Sequence, residues 1–349
     1  MKLVKSYGGL KMRKLATIQK IADVQPIEGA DKICKYKVNG WWVVDQVGKY
    51  DVDELVIYCE VDSYLPIKPE FEFLRKSSYK KMPDGTEGFR LKTIRLRGQV
   101  SQGLLLRWDT LLMKDCESYP LAEGEDVSDH LGIVKYEPPI PACLSGQVKG
   151  NFPAFLNKTD EERIQNLSDV YSIWKSNVFY VTEKLDGSSM TCYIKDGEFG
   201  VCSRNMNLAE TEGNAFWQAA RSAKIEERLR YKGYDNICIQ GELLAPGVQG
   251  NKYKVSKPEL RVFNVFDIAT GEYFSKDDMK DFCWKMELNT VPILDEQFLL
   301  PDSIEDLLKY AEGKSELADV EREGVVIRTD GKKISFKVIS NKFLLKNED

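Results

Sequence analysis

Apolar positions between Lys14 and Arg107 fall in short runs broken by turn residues. The runs are Lys14–Ile21, Ile33–Val38, Trp41–Val47, Leu55–Glu60, Arg90–Leu96 and Gly103–Arg107. β-Branched and aromatic residues fill them, which favours strands. Asn39-Gly40, Gly48, Asp84-Gly85 and Gly98 separate most of them, and Asn39-Gly40 has the composition of a two-residue hairpin turn. So many short strands within about 100 residues predict a small barrel. The pattern then loses regularity. Glu125–Pro141 ends in Glu137-Pro138-Pro139-Ile140-Pro141, which reads as a stiff extended linker. It sets the expected domains at residues 1–140 and 141–349.

The second domain mixes both periods. Lys158–Leu167 reads as a helix start, with Thr159 and Glu162 as a capping box and Arg163 on the first turn. Val178-Phe179-Tyr180-Val181 favours a strand, and another strand closes at Cys202-Ser203-Arg204-Asn205 after the Lys195-Asp196-Gly197 turn. Leu208–Tyr231 carries Ala215, Phe216, Ala219, Ala220 and Ala223 near helical spacing. Strands follow at Asn236–Leu243 and Arg261–Ile268, helices near Lys276–Leu288 and Ser303–Glu312, and strands within Arg322–Arg328 and Ile334–Phe343. The fold class expected is α+β.

Composition narrows the class. With 42% hydrophobic and 30% charged residues the chain reads as an ordinary globular protein. No apolar run approaches the ~18 residues of a membrane span. Met1–Ser6 lacks the apolar core of a leader peptide. The eight cysteines include no Cys-x-x-Cys, which points to reduced thiols and away from a zinc site. A soluble, intracellular monomer is expected. His130 is the only histidine and lies in the expected linking region, so histidine-based acid–base chemistry is not expected.

The net charge of −5 is unevenly spread: residues 1–110 hold 20 Lys+Arg against 14 Asp+Glu, leaving 30 against 41 for the rest. A basic front suits a polyanion, and an acidic rear suits metal ions. Eight cations fall among the 23 residues from Arg75 to Arg97, opposed only by Asp84 and Glu87. Arg75, Lys76, Arg95 and Arg97 are the candidate nucleic-acid contacts, with Arg95 and Arg97 on one strand face and Tyr79 and Phe89 nearby for stacking.

The chemistry centres on Glu183-Lys184-Leu185-Asp186-Gly187-Ser188-Ser189. The apolar run before it places Lys184 at the end of a strand, entering a tight turn with Gly187 at its apex. A lysine there becomes a nucleophile once its amine loses a proton, which burial and neighbouring cations promote.

Two resemblances extend this reading. Pro26–Asp31, Asp62-Ser63-Tyr64-Leu65-Pro66 and Ile94–Leu104 look like an OB-fold module of the tRNA-binding type. In particular they resemble the amino-terminal OB domain of one RNA ligase family. Lys184-Leu185-Asp186-Gly187, Arg204, Glu242, Phe266-Asp267, Glu323-Gly324-Val325-Val326 and Lys337 come in the order of the motifs of the covalent nucleotidyltransferases, the superfamily of DNA ligases, RNA ligases and mRNA-capping enzymes. The order of domains resembles the ATP-dependent RNA ligases. The fold implied is an OB barrel followed by a nucleotidyltransferase domain of ATP-grasp-like antiparallel sheets plus helices.

The resemblance also implies roles. Lys184 would attack the α-phosphorus of ATP, with Lys337 as the adjacent cation. Asp186, Glu242 and Glu323 would hold Mg²⁺ or Mn²⁺, and Glu242 would also take the ribose hydroxyls. Phe266 would stack on adenine, with Phe263, on the opposite face of an alternating strand, as the fallback. Arg204 would bind ribose or a 5′-phosphate. Arg163, Glu183, Gly187 and Lys342 complete the candidate nucleotide contacts. One departure stands out. The related motif often carries a second lysine one residue beyond the first, but Ser335 and Ile339 flank Lys337 at that spacing, leaving Lys342 or Lys333 to supply the charge. The activity implied is sealing of 3′-OH and 5′-phosphate RNA ends through lysyl-AMP, in nicked duplexes with RNA on the 3′-OH side, as in RNA repair. A capping guanylyltransferase, a DNA ligase and a non-catalytic RNA-binding protein are the alternatives.

Overall fold

A computed structural model describes residues 13–82, 84–111, 122–136 and 148–347. The chain divides into two compact units, Met1–Pro139 and Ile140–Asp349.

The first unit is β-rich. Leu55–Cys59 lies between Ala16–Lys20 and Leu104–Arg107 in an antiparallel sheet, and Asp23–Ile27, Ala30–Val38 and Trp41–Gln46 form a meander. Val38 pairs with Trp41, so Asn39-Gly40 closes a two-residue hairpin. Alternation makes the Leu55–Cys59 strand buried on both faces. Val56 and Tyr58 enter a core with Tyr36, Trp41 and Leu105. Ile57 and Cys59 enter another with Ile18, Leu65, Phe71, Phe89 and Leu106.

That second core corrects the expected linker. Val127, Leu131 and Ile133 are buried in it, Asp126 bridges to Thr17, and Val134–Lys135 pairs with Ser63–Pro66. His130 sits in the short helix Ser128–Leu131. Residues 137–141 of the expected linker lie outside the described residues. The Arg90–Leu96 run splits into two strands, Glu87–Arg90 and Thr93–Leu96, which join different sheets.

The second unit holds two sheets, antiparallel except where the short Asn289–Thr290 strand runs parallel to Glu259–Asp267. The larger runs in the order Val148–Asn151, Met206–Leu208, Glu198–Cys202, Ser188–Lys195, Ile237–Leu244, Glu259–Asp267 and Glu272–Tyr273. Helices Ala215–Ser222, Ile225–Tyr231 and Lys276–Lys285 cover one face, where Met190, Ile239, Val262, Phe216, Leu229 and Phe282 pack together. The smaller sheet runs Ile293–Phe298, Phe179–Lys184, Gly324–Arg328 and Ser335–Ile339. Its covered face buries Phe179, Val181, Val325, Ile327, Phe336 and Val338 under the helices Ser168–Trp174 and Ile304–Ala311. By alternation, the opposite face of the smaller sheet presents Tyr180, Thr182, Lys184, Val326, Arg328, Ser335 and Lys337, of which Tyr180, Thr182, Val326 and Arg328 are buried too.

Two expected helices change. The capping box at Thr159 does not form. The Thr159 hydroxyl is 2.7 Å from that of Ser189, and the Glu162 carbonyl accepts the Lys337 N–H at 2.8 Å. This segment extends the edge of the Ser335–Ile339 strand, so the helix begins only at Ser168, after a 3₁₀ turn. The expected Leu208–Tyr231 helix is two helices. Asn214 caps the first through the Phe216 and Trp217 N–H groups, and Lys224, at φ 49°, breaks the chain before the second. Among the described residues no helix is long and apolar enough to cross a membrane.

Gly324 is where the smaller sheet is least tolerant. It pairs with Lys184 on one side and Ile339 on the other, and a Cβ there would lie 2.1 Å from the Val338 carbonyl oxygen. Backbone must move to admit it. Gly324→Ala should cost about 2–3 kcal/mol, read as a lowered midpoint in urea or thermal unfolding, whereas Gly197→Ala, with open space around its Cβ, should cost less.

Candidate active site

Lys184 ends a strand of the smaller sheet, and by Ser188 the chain is in the larger one. Leu185–Gly187 is the crossing. It is not a hairpin turn, and Gly187 is not needed there for a left-handed backbone. A Cβ on Gly187 would meet the Leu243 carbonyl at 2.4 Å, so glycine is required by close approach. Its N–H donates to Glu242 Oε1 at 3.1 Å. The Asp186 N–H donates to the Tyr253 hydroxyl at 2.8 Å, and Lys252 Nζ pairs with the Asp186 carboxylate. Buried Leu185 pins the crossing against Leu244 and Val291, with Tyr253, Val255 and Phe263 alongside.

These bonds bring four sequence motifs to one place. Lys184 Nζ lies 2.6 Å from Glu323 Oε2. Glu242 and Asp186 add their fields to that of Glu323, and Lys337 adds the opposing one at Glu323. Arg163 joins through the backbone, bridging in parallel to Lys337. Burial pulls the Lys184 pKa down, but Glu323, Glu242 and Asp186 outweigh it, leaving the ammonium harder to deprotonate than an ordinary lysine. The carboxyls answer in kind. Burial pushes Glu242 up to about 8, against the pull of Lys184 and with repulsion from Glu323 and Asp186. Burial also raises Glu323.

A cation fits this donor set. Two buried carboxyls that resist ionisation beside one another are relieved by added positive charge, and hard oxygen donors suit Mg²⁺ or Mn²⁺. Among the described residues, no group of three carboxylate, histidine or cysteine side chains converges closely enough to hold a metal alone. That suits Mg²⁺, which keeps several waters.

Other candidate residues lie elsewhere. Glu183 is buried and its carboxylate accepts the Glu316 N–H at 2.9 Å, so it ties the Lys184 strand to the 313–322 loop. Arg204 is exposed and paired with Asp160. Lys342 is exposed and paired with Glu312 at 2.8 Å. Phe266 is buried with Leu156, Tyr193 and Cys238, its ring 5.0 Å from that of Tyr273. Phe263 is the ring beside the crossing, with the Arg328 guanidinium 5.7 Å away. Simple alternation misleads here. Gln240 pairs with Asn264 and Gly241 with Val262, so Phe263 is the extra residue of a bulge and the faces reset across it. Sequence reading also missed Lys252 and Tyr253, whose only signal was a polar tract inside a Gly/Pro-broken loop.

In the first unit, Arg75 forms a two-pronged pair with Glu72 at 2.6 and 2.7 Å and stacks near Tyr79 and Phe89. Lys76 and Arg95 are exposed. Arg97 is exposed too, but at φ 48° it belongs to the turn joining Thr93–Leu96 to Gln99–Gln102 and does not share a strand face with Arg95.

Comparison with known proteins agrees with this layout. An OB-fold domain family matches residues 15–108, and the RNA ligase family matches residues 177–340. No curated protein sequence matches. Among solved structures, the chain is similar to the Naegleria gruberi RNA ligase with pyrophosphate, at 39% identity and a TM-score of 0.89 over 97% of this chain and 99% of that one. A variant of that ligase with ATP and manganese gives 39% identity and a TM-score of 0.89 over 97% of this chain and 100% of that one. A variant with AMP and manganese gives 38% and 0.88 over 96% and 99%.

The Glu242 carboxyl has a measurable signature in metal-free protein. An acid whose pKa is raised on folding contributes stability below its unfolded pKa of about 4.5 and loses it as pH rises through about 8. Glu242→Gln keeps an oxygen for the Gly187 N–H and removes the charge. The melting temperature of Glu242→Gln minus that of the parent should therefore grow by a few degrees between pH 5 and pH 8. An unchanged difference across that range would contradict the shift.

Proposed function

The chain belongs to the RNA ligase family, and from that premise we propose that it is an ATP-dependent ligase whose Lys184 carries AMP. The observation that carries the reading is the ammonium of Lys184, at the crossing between two sheets, with Glu323 at 2.6 Å and Glu242, Asp186 and Lys337 around it. In the related Naegleria gruberi structures the ligands are ATP or AMP with manganese, and pyrophosphate.

As the side chains stand, the carboxylates keep the amine charged, which opposes nucleophilic attack. Asp186, Glu242 and Glu323 would hold Mg²⁺ or Mn²⁺, whose charge, when bound, offsets those carboxylates and polarises the α-phosphate. Lys337 adds its charge from the neighbouring strand. Lys184 Nζ, once neutral, bonds to the α-phosphorus as the bond to pyrophosphate breaks, giving lysyl-AMP. A 5′-phosphate oxygen then takes AMP from Lys184, forming a 5′–5′ pyrophosphate-linked adenylate. Finally a 3′-OH attacks the 5′-phosphorus, the phosphodiester forms and AMP departs. Phe263, beside the crossing, is the ring we assign to stack on adenine. Arg163 would meet a phosphate. The exposed Lys76, Arg95 and Arg97 would meet the RNA backbone, and the preferred substrate would be a nick with RNA on the 3′-OH side.

Incubation with α-phosphate-labelled ATP and Mg²⁺ should give an acid-labile protein adduct that GTP does not give and that Lys184→Ala abolishes. A nicked duplex with an RNA 3′-OH strand should then be sealed, at least tenfold faster than one with a DNA 3′-OH strand. Labelling by GTP instead would move the reading to a capping-type enzyme, and an adduct on Lys184→Ala would end it.

A further inference from the structure

The strand that carries Lys337 ends in an apolar residue at the site. Lys184, Gly324 and Ile339 form one row across three strands, and Ile339 is 3% exposed. Neither lysine expected to replace the missing charge is there. Lys342 is paired with Glu312, and the exposed Lys333 lies beyond the opposite end of the strand.

Another cation arrives from outside the sheet. Lys252 Nζ pairs with the Asp186 carboxylate and lies 4.4 Å from the centre of the Phe343 ring. Phe343 belongs to the helix Asn341–Asn347, which starts directly after Ile339 and Ser340. Lys252 therefore sits between the Lys184 crossing and the end of the Lys337 strand. Its loop is built to hold it there. Gln249, Gly250, Asn251 and Lys254 all have positive φ, at 45°, 66°, 47° and 55°. The Asn251 side chain bridges both backbone groups of Val255 at 3.0 Å, fixing this unusual path. Such backbone persists where its surroundings over-determine it, commonly at functional sites. Next along the chain, Tyr253 takes the Asp186 N–H, so one dipeptide grips both the backbone and the carboxylate of Asp186.

We propose that Lys252 is a second phosphate-binding cation of this site, supplying from the 245–258 loop the charge that Ile339 withholds from the strand. The proposal rests on the nucleotidyl-transfer reading. Carboxylates crowd the site, and beside Lys184, Lys337, Arg163 and the metal a triphosphate still offers anionic oxygens to a further cation. The Lys252 stem is flexible and its ammonium is partly exposed, so it can exchange the Asp186 carboxylate for a phosphate oxygen.

The test uses full-length protein carrying Lys184→Met, which binds nucleotide without reacting. Calorimetry with Mg²⁺ compares ATP and adenosine. Adding Lys252→Met should weaken ATP at least about tenfold, the loss of one charge-assisted contact, and change adenosine less than twofold. Adding Ile339→Lys to that variant should recover most of the loss. Unchanged ATP affinity, an equal loss for adenosine, or no recovery with Ile339→Lys would overturn the proposal, the second because it would show that Lys252 only shapes the cleft. The two readings fail separately. If protein with native Lys184 forms no AMP adduct, nucleotidyl transfer fails; if it does and the affinities do not move, only the role of Lys252 fails.

Discussion

A lysine ammonium held among three carboxylates in a partly buried crossing is the constraint on which the second unit depends. Burial alone would lower the Lys184 pKa, and Glu323, Glu242 and Asp186 reverse that shift. The balance requires those carboxylates to come from separate segments, Asp186 from the crossing, Glu242 from a strand of the larger sheet and Glu323 from the entry to a strand of the smaller one. Glycines make that approach possible. Gly187 passes against the Leu243 carbonyl, and Gly324 lies flat against Val338 opposite Lys184. Each sheet buries one face under helices; the other face carries Glu242 beside an apolar patch of Tyr193, Cys238 and Phe266 in the larger sheet, and Lys184 and Lys337 in the smaller one. The residues that hold the sheets, such as Ile239 and Val325, lie on the covered faces.

The centre of the candidate site was legible from sequence because its groups fall in short motifs that can be read one by one, although the pairings that gather them are long-range, Lys184 with Gly324 and Ser189 with Glu242. Lys184, Glu242 and Lys337 end or line a strand and Glu323 directly precedes one. What was not legible depends on irregular backbone. The bulge at Phe263 breaks the two-residue alternation that placed it opposite Phe266. The Thr159 segment has a good helix-start composition, yet an open strand edge beside Lys337 competes for its backbone and wins. In the same way, Lys224 divides a segment whose alanines favour one long helix.

In the first unit part of the charge counted in the sequence is engaged within the fold. Arg75 contributes to the basic cluster on paper, but Glu72 takes both prongs of its guanidinium and two rings lie beside it. Lys76, Arg95 and Arg97 remain exposed at a helix, a strand and a turn. Were these groups to meet a nucleic acid, cations spread over such different elements would contact its backbone more readily than read its bases.

A loop cation and a strand cation differ in how they couple to the rest of the site. A lysine at position 339 would share the register of Lys337, so its placement would follow from sheet formation. Lys252 is held by Asp186, by Phe343 and by the folded path of its own loop. Its position therefore depends on the Asp186 carboxylate and on the docking of the Asn341–Asn347 helix. The Lys252–Asp186 pair satisfies both charges within the protein. Any ligand that recruits one partner must release the other, so a metal at Asp186 and a phosphate at Lys252 favour each other's binding, as linkage requires. Moving the charge from strand to loop makes the Asp186 pair a point of exchange between the two ligands, which a cation fixed in the sheet could not be.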